Sequence, residues 1–206
     1  MESDPSVRRR RLLTWIAALG EAAVSGPLAA FAAAGADTWM LDPEAARAAA
    51  LLRSIDSARW VQEGRGPRVV YVFFDPNCPY SHKLYLATRG AVGKDGLTLR
   101  WIPIGRLHRS SPGKAAAILA APDPLRAFHR NEDDWNFGDS PGGGIAPLAH
   151  PAPRVRRWLH ANSRLMRETG GTTFPVMLYH GRDGRAHLIV GLPSDDTLAA
   201  VLRAVR

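Results

Sequence analysis

The chain has 206 residues, 46% of them hydrophobic, enough for one domain with a substantial core and some appended segments. Lysine and arginine number 27 against 19 acidic residues, a formal charge of +8, yet no nucleic-acid motif accompanies it, so we read a solvated basic surface and expect no nucleic acid as partner. A single cysteine excludes an internal disulfide and a cysteine-built zinc site, and the seven histidines lack metal-ligand spacing, so neither a metal nor a cofactor is expected.

Residues 1–36 read as a targeting segment. Residues 8–11 are four arginines, 12–36 are mostly small and apolar, and alanine-rich cleavage sites fall at 32–34 and 34–36. Arg9, Arg10, Leu12 and Leu13 also fit a twin-arginine pattern. Glu21 and the Ser25-Gly26-Pro27 break argue against a membrane-spanning helix; the alternative is an amphipathic cytosolic helix. Residues 37–66 read as a helical linker. Asp42-Pro43-Glu44 starts its helix and residues 56–66 make the connection onward.

The main domain is expected over 67–206. A β-branched and aromatic run at 68–74 predicts a buried strand, and Asp75-Pro76-Asn77 ends it in a turn. Cys78 then stands at the N-cap of a helix reaching about residue 90, with Pro79 at the first helical position, where its missing N–H has no partner anyway. A second strand at 97–103 completes a βαβ unit, with the cysteine at the end of its first strand. Residues 105–170 form an insertion with helical period at 112–121, 124–129 and 153–169. Its glycine-rich loop at 138–147 lacks the lysine and following helix of a phosphate cradle. Strands at 174–179 and 187–191 flank a turn at 181–184, and Ser194 caps a last helix to about residue 205. The class is α/β.

Unpaired amides and the dipole at a helix N-terminus favour an anion, and a thiolate is the nucleophile of thiol–disulfide exchange. Cys78 is therefore the candidate catalytic residue. A lone buried cysteine can also be an inert small hydrophobe, a description that suits this strand–helix corner poorly. Ser81, one turn on, is placed to donate a hydrogen bond to the Cys78 sulfur but cannot act as a second thiol. His82 is expected to face solvent, the alternative being that it polarises the thiol. Asp75 is expected to serve the turn rather than to accept a proton near Cys78. Trp60 and Trp101 are expected in the core, and Trp135 carries no assignment.

The segment FFDPNCPYSHKLY, residues 73–85, resembles the active-site segment of the periplasmic thiol:disulfide interchange proteins of the DsbG and DsbC branch. The likeness continues in WVQEGRGPRVVYVF (60–73), LRWIPIG (99–105), SSPGKAAAILAAPDP (110–124), GGTTFPVMLY (170–179) and VGLPSDDTL (190–198), so it spans about residues 58–205. It implies a thioredoxin-like fold, with the helical insertion lying between the βαβ half and the C-terminal hairpin and helix. It implies export to the periplasm, through a twin-arginine or general secretory signal. It further implies a cis Phe174–Pro175 bond beside the Cys78 helix, and a client surface of Pro79, Tyr80, Thr173, Phe174 and Pro175. Two departures stand out. Ser81 replaces the second cysteine, giving CPYS, and Phe174 stands where the family usually has threonine. The implied partners are client proteins with cysteines or disulfides and an external thiol reductant. The implied reaction is isomerisation or sulfenic-acid reduction by a monothiol route; the alternative is a client-binding chaperone module without turnover. No counterpart of the family's dimerisation domain is found, so a monomer is expected.

Overall fold

A computed structural model of the chain describes residues 42–138 and 142–206. The targeting readings on 1–36 lie outside the described residues. Helix α1 (Pro43–Ser54) begins as its sequence implies: the Asp42 carboxylate accepts from the amides of Glu44 (2.9 Å) and Ala45 (3.4 Å), and Pro43 fills the first turn. A 3-10 turn at Ile55–Ser57 then leads into strand β1 (Val61–Glu63).

Four further strands follow: β2 (Arg68–Phe74), β3 (Leu97–Pro103), β4 (Val176–His180) and β5 (Ala186–Val190). All five join one sheet in the order β1-β3-β2-β4-β5. The β2–β3 pair is parallel and the other three are antiparallel. The stretch read as a linker is thus corrected in part. Val61 and Glu63 alternate inward on an edge strand paired to β3, and α1 packs on edge strand β5 and its neighbour β4, so both belong to the domain. Three residues were too short a run for periodicity to expose.

Helices α2 (Pro79–Thr88), α3 (Ser111–Ala120), α4 (Pro124–Asp133), α5 (Pro153–Glu168) and α6 (Asp195–Ala204) complete the fold. Successive residues of a strand point to opposite faces, and β2 buries both. Val70, Val72 and Phe74 meet Leu84 and Tyr85 of α2, Phe128 of α4 and Leu198 of α6 in one cluster. Tyr71 and Phe73 join Leu51 of α1, Leu165 and Met166 of α5, and Cys78 in the other. Each fully buried large side chain contributes about 1.5–3 kcal/mol. Edge-to-face contacts of Phe74 with Trp101 (5.8 Å) and Phe128 (5.2 Å) add to the first cluster. Among the described residues no helix is long and apolar enough to cross a membrane.

Candidate active site

The site is built where β2 stops. Phe74 gives way to Asp75, a fully buried carboxylate that accepts from the amides of Asn77 (3.0 Å), Arg106 (2.7 Å) and Leu107 (2.9 Å) and from the Ser111 hydroxyl (2.7 Å). It fixes the β2–α2 turn and ties it to the loop after β3, the role expected of it. Four donors occupy its oxygens. The Cys78 amide closes the turn on the Asp75 carbonyl at 2.9 Å, and Cys78 itself is extended (φ −85°, ψ 115°) as the N-cap of α2.

Register then decides what faces the sulfur. Antiparallel pairing sets Phe73 of β2 against Val176 of β4, so Pro175 and Phe174 fall beside the end of β2 and the start of α2. The Phe174–Pro175 peptide is cis, and the Cys78 thiol donates to the Phe174 carbonyl at 3.7 Å. Pro175 lacks an N–H, so β4 begins at Val176 rather than at the expected Phe174. Thr173, the next residue outward, is exposed, and among the described residues no hydrogen bond engages it. Pro79 and Tyr80 are exposed on the opposite shoulder, Tyr80 by 54%, with the Lys83 ammonium 5.5 Å from its ring. The structure therefore brings Cys78, Pro79, Tyr80, Ser81, Thr173, Phe174 and Pro175 to one corner.

Several expectations are corrected at that corner. Cys78 is only 3% exposed, within an apolar cluster that includes Phe73, Ile104 and Phe174. Residues 78, 81, 85 and 88 share one stripe of α2, and that stripe faces the interior. The Ser81 hydroxyl lies on it, 2% exposed, and makes no hydrogen bond to the sulfur or to any other described residue. His82 does not face solvent. It is buried, with Nδ1 3.1 Å from the Glu132 carboxylate and its ring stacked on Trp135 at 4.3 Å. Trp135, unassigned from sequence, is exposed by only 8% and belongs to that stack. Trp101 is core as expected, but Trp60 is half-buried against Tyr71 and the Arg100 guanidinium.

Sequence reasoning missed the support behind the turn. The Asn77 side-chain amide donates to the hydroxyls of Ser110 (3.1 Å) and Ser111 (2.9 Å), and its oxygen accepts from Lys114 Nζ (2.8 Å). Lys114 also donates to the Gly143 carbonyl at 2.5 Å, and burial pulls its ammonium pKa down. The run Ser110-Ser111-Pro112-Gly113-Lys114 was visible as part of the resemblance, though nothing local assigned it to this turn. The glycine-rich loop has a steric reason as well. A Cβ on Gly142 would lie 2.2 Å from Asn77 Oδ1, and one on Gly143 2.0 Å from Asn131 Oδ1. Only glycine lets this backbone approach so closely.

Chemically, the corner offers one sulfur, a helix start beside it, and an open backbone edge at Thr173 along which an extended chain could pair. Among the described residues no group of three or more His, Cys, Asp or Glu could hold a metal ion.

A mixed sheet with its cysteine at a strand–helix corner facing a cis-proline defines a thioredoxin-like domain. A solved periplasmic thioredoxin-like protein from Salmonella enterica serovar Typhimurium is similar to it, with a TM-score of 0.51 at 18% identity over 70% of this chain and 88% of that one. By sequence the chain is similar to the thiol:disulfide interchange protein DsbG of Pseudomonas aeruginosa, 34% identical over 152 residues, 73% of this chain and 57% of that protein. It is also similar to DsbG of Escherichia coli strain K12, 30% identical over 153 residues, 72% of this chain and 58% of that protein. The chain thus spans less than two thirds of the length of the curated relatives it matches. No family model matches it.

Proposed function

We propose that the chain is a DsbG-like thiol:disulfide interchange protein, exported to the periplasm and acting on protein thiols and disulfides through Cys78 alone. The observation that carries this reading is the Cys78 thiol at a helix N-cap, 3.7 Å from the carbonyl of the residue before cis-Pro175. The similarity to DsbG proteins supports it.

In this mechanism the Cys78 thiolate attacks one sulfur of a client disulfide. A mixed disulfide forms, and the client's other sulfur leaves as thiolate. Ser81 has no thiol with which to resolve it. Release comes from the client's own second thiol, which yields isomerisation, or from an external small thiol. A client sulfenic acid would be taken the same way, its oxygen leaving as water. Thr173 and the Phe174 carbonyl offer the edge for a client strand, Pro175 shapes it, and Pro79 and Tyr80 form the opposite shoulder.

The competing reading is a client-binding module without turnover, in which Cys78, 3% exposed, stays unreactive. Mixing the purified protein with a small mixed-disulfide reagent separates the two. Interchange predicts stoichiometric modification of Cys78, faster than that of a free cysteine, and none in Cys78→Ala. Modification no faster than in an inert buried thiol, with client binding intact in Cys78→Ala, would favour the competitor.

A further inference from the structure

We propose that Cys78 is also a site of reversible oxidation by hydroperoxides, its sulfenic acid held by the Ser81 hydroxyl and the first-turn amides of α2. The proposal rests on the nucleophilic Cys78 of the preceding reading, and it starts from the orphaned Ser81 hydroxyl. That group is buried within a residue 2% exposed, has no partner among the described residues, and sits three positions past the N-cap, where N-cap and third-residue side chains face each other. Leaving a buried hydroxyl unpaired is destabilising, so this donor stands ready for an acceptor brought to the site. The amides of Tyr80 and Ser81 have no intrahelical acceptor by position, and the Cys78 side chain does not cap them. The first turn of the helix that Cys78 caps thus holds three unengaged donors, the Ser81 hydroxyl and the amides of Tyr80 and Ser81, available to an oxygen carried on this sulfur.

Access fits a small oxidant. Hydrogen peroxide is little larger than water, whereas the sulfur is almost covered. In the forward step the sulfur attacks one peroxide oxygen, an S–O bond forms and the O–O bond breaks. Sulfur is oxidised by two electrons, the peroxide is reduced, and the thiol proton leaves with the departing hydroxide as water. A small thiol then attacks the sulfenic sulfur, giving a mixed disulfide and water. A second equivalent frees Cys78 and departs as the oxidised thiol.

The two usual intramolecular exits from a sulfenic acid are condensation with a second thiol and condensation with a neighbouring backbone nitrogen. Cys78 is the only cysteine, and the next residue is Pro79, whose nitrogen carries no hydrogen. Both exits are closed, so the oxidised form persists until a thiol arrives.

The test treats reduced protein with hydrogen peroxide, traps sulfenic acid with dimedone, and reads intact mass over time in the wild type, Ser81→Ala, Ser81→Thr and Cys78→Ala. The expected result is a dimedone adduct confined to Cys78. Its precursor should pass to sulfinic acid about fivefold faster in Ser81→Ala than in the wild type, with persistence recovered in Ser81→Thr. Ser81→Ala removes an unpaired group, and its unfolding midpoint, measured in parallel, confirms that it folds. Wild-type protein that exchanges with a mixed-disulfide reagent yet gives no adduct, or equal lifetimes in wild type and Ser81→Ala, overturns this proposal and leaves the interchange reading standing. A Cys78 that reacts with neither reagent overturns both.

Discussion

At Cys78 two requirements of the fold pull in opposite directions. The N-cap position brings the sulfur to unpaired helix amides, while the stripe 78, 81, 85 and 88 carries it towards the interior. Phe174, where a threonine would present a hydroxyl, lies buried in the same apolar cluster as the sulfur and offers it only the backbone carbonyl that any residue there would carry. Ser81 occupies the place from which a second thiol would act, so Ser81→Cys is the most informative change here. Oxidised Ser81→Cys is expected to close a 78–81 disulfide. Loaded as a mixed disulfide, it should release its partner at least about 100-fold faster than the wild type without added thiol, because the second attack becomes intramolecular. Quenched mass spectrometry reads both effects, and equal decay of the two mixed disulfides would show that position 81 cannot reach the sulfur. The sequence located Cys78, its N-cap and the late proline because each has a local signature. Burial of the sulfur and the unpaired state of Ser81 were not legible, since they depend on which stripe of α2 docks against the sheet.

At the scale of elements, α2 is held to α4 through a buried hydrogen bond between His82 and Glu132 that periodicity could not reveal. His82 read as a solvent residue because the apolar partner it stacks on, Trp135, lies 53 positions on in a segment with no strong period. Burial raises the Glu132 carboxyl above its ordinary range, and the bonds from His82 and from Asn131 (2.9 Å) pull it back only in part. The unfolded state therefore releases this proton before the folded state does, and the group costs stability as pH rises from the ordinary glutamate value towards the raised one. His82→Phe keeps the stack on Trp135 but leaves Glu132 with one donor fewer. A loss of about 3 kcal/mol is expected near neutral pH, with a steeper decline as pH rises. Adding Glu132→Leu should recover most of that loss, because a buried charge without its partner is the source of the cost. Denaturant unfolding of the single and double variants at several pH values measures it. Additive losses would mean that the two side chains do not act as a pair.

Across the whole molecule, the central strands β2 and β3 were legible as short apolar segments bounded by turns, whereas the tie closing the β1 edge was not. Glu63 in that three-residue strand accepts from both terminal nitrogens of Arg89 (2.5 Å each), from His129 Nε2 (2.6 Å) and from Trp101 Nε1 (3.0 Å), joining sheet, α2 and insertion at one carboxylate. Its partners lie 26 to 66 positions away in sequence, beyond any local pattern. Burial pushes its pKa up, but the bonds from Arg89 and His129 outweigh burial and hold it below the ordinary range. A depressed carboxyl contributes stability that is present above its unfolded value and lost as pH falls through the folded one. Glu63→Gln is therefore expected to cost about 2 kcal/mol near neutral pH. That figure sits below the usual cost of breaking a buried pair because Arg89 and His129 are 31% and 34% exposed and can rehydrate. The gap between wild type and variant should narrow through the acid limb, as protonation removes the same interaction from the wild type. A gap in unfolding free energy that stays constant down to the acid transition would mean that Glu63 holds the edge by shape rather than by charge.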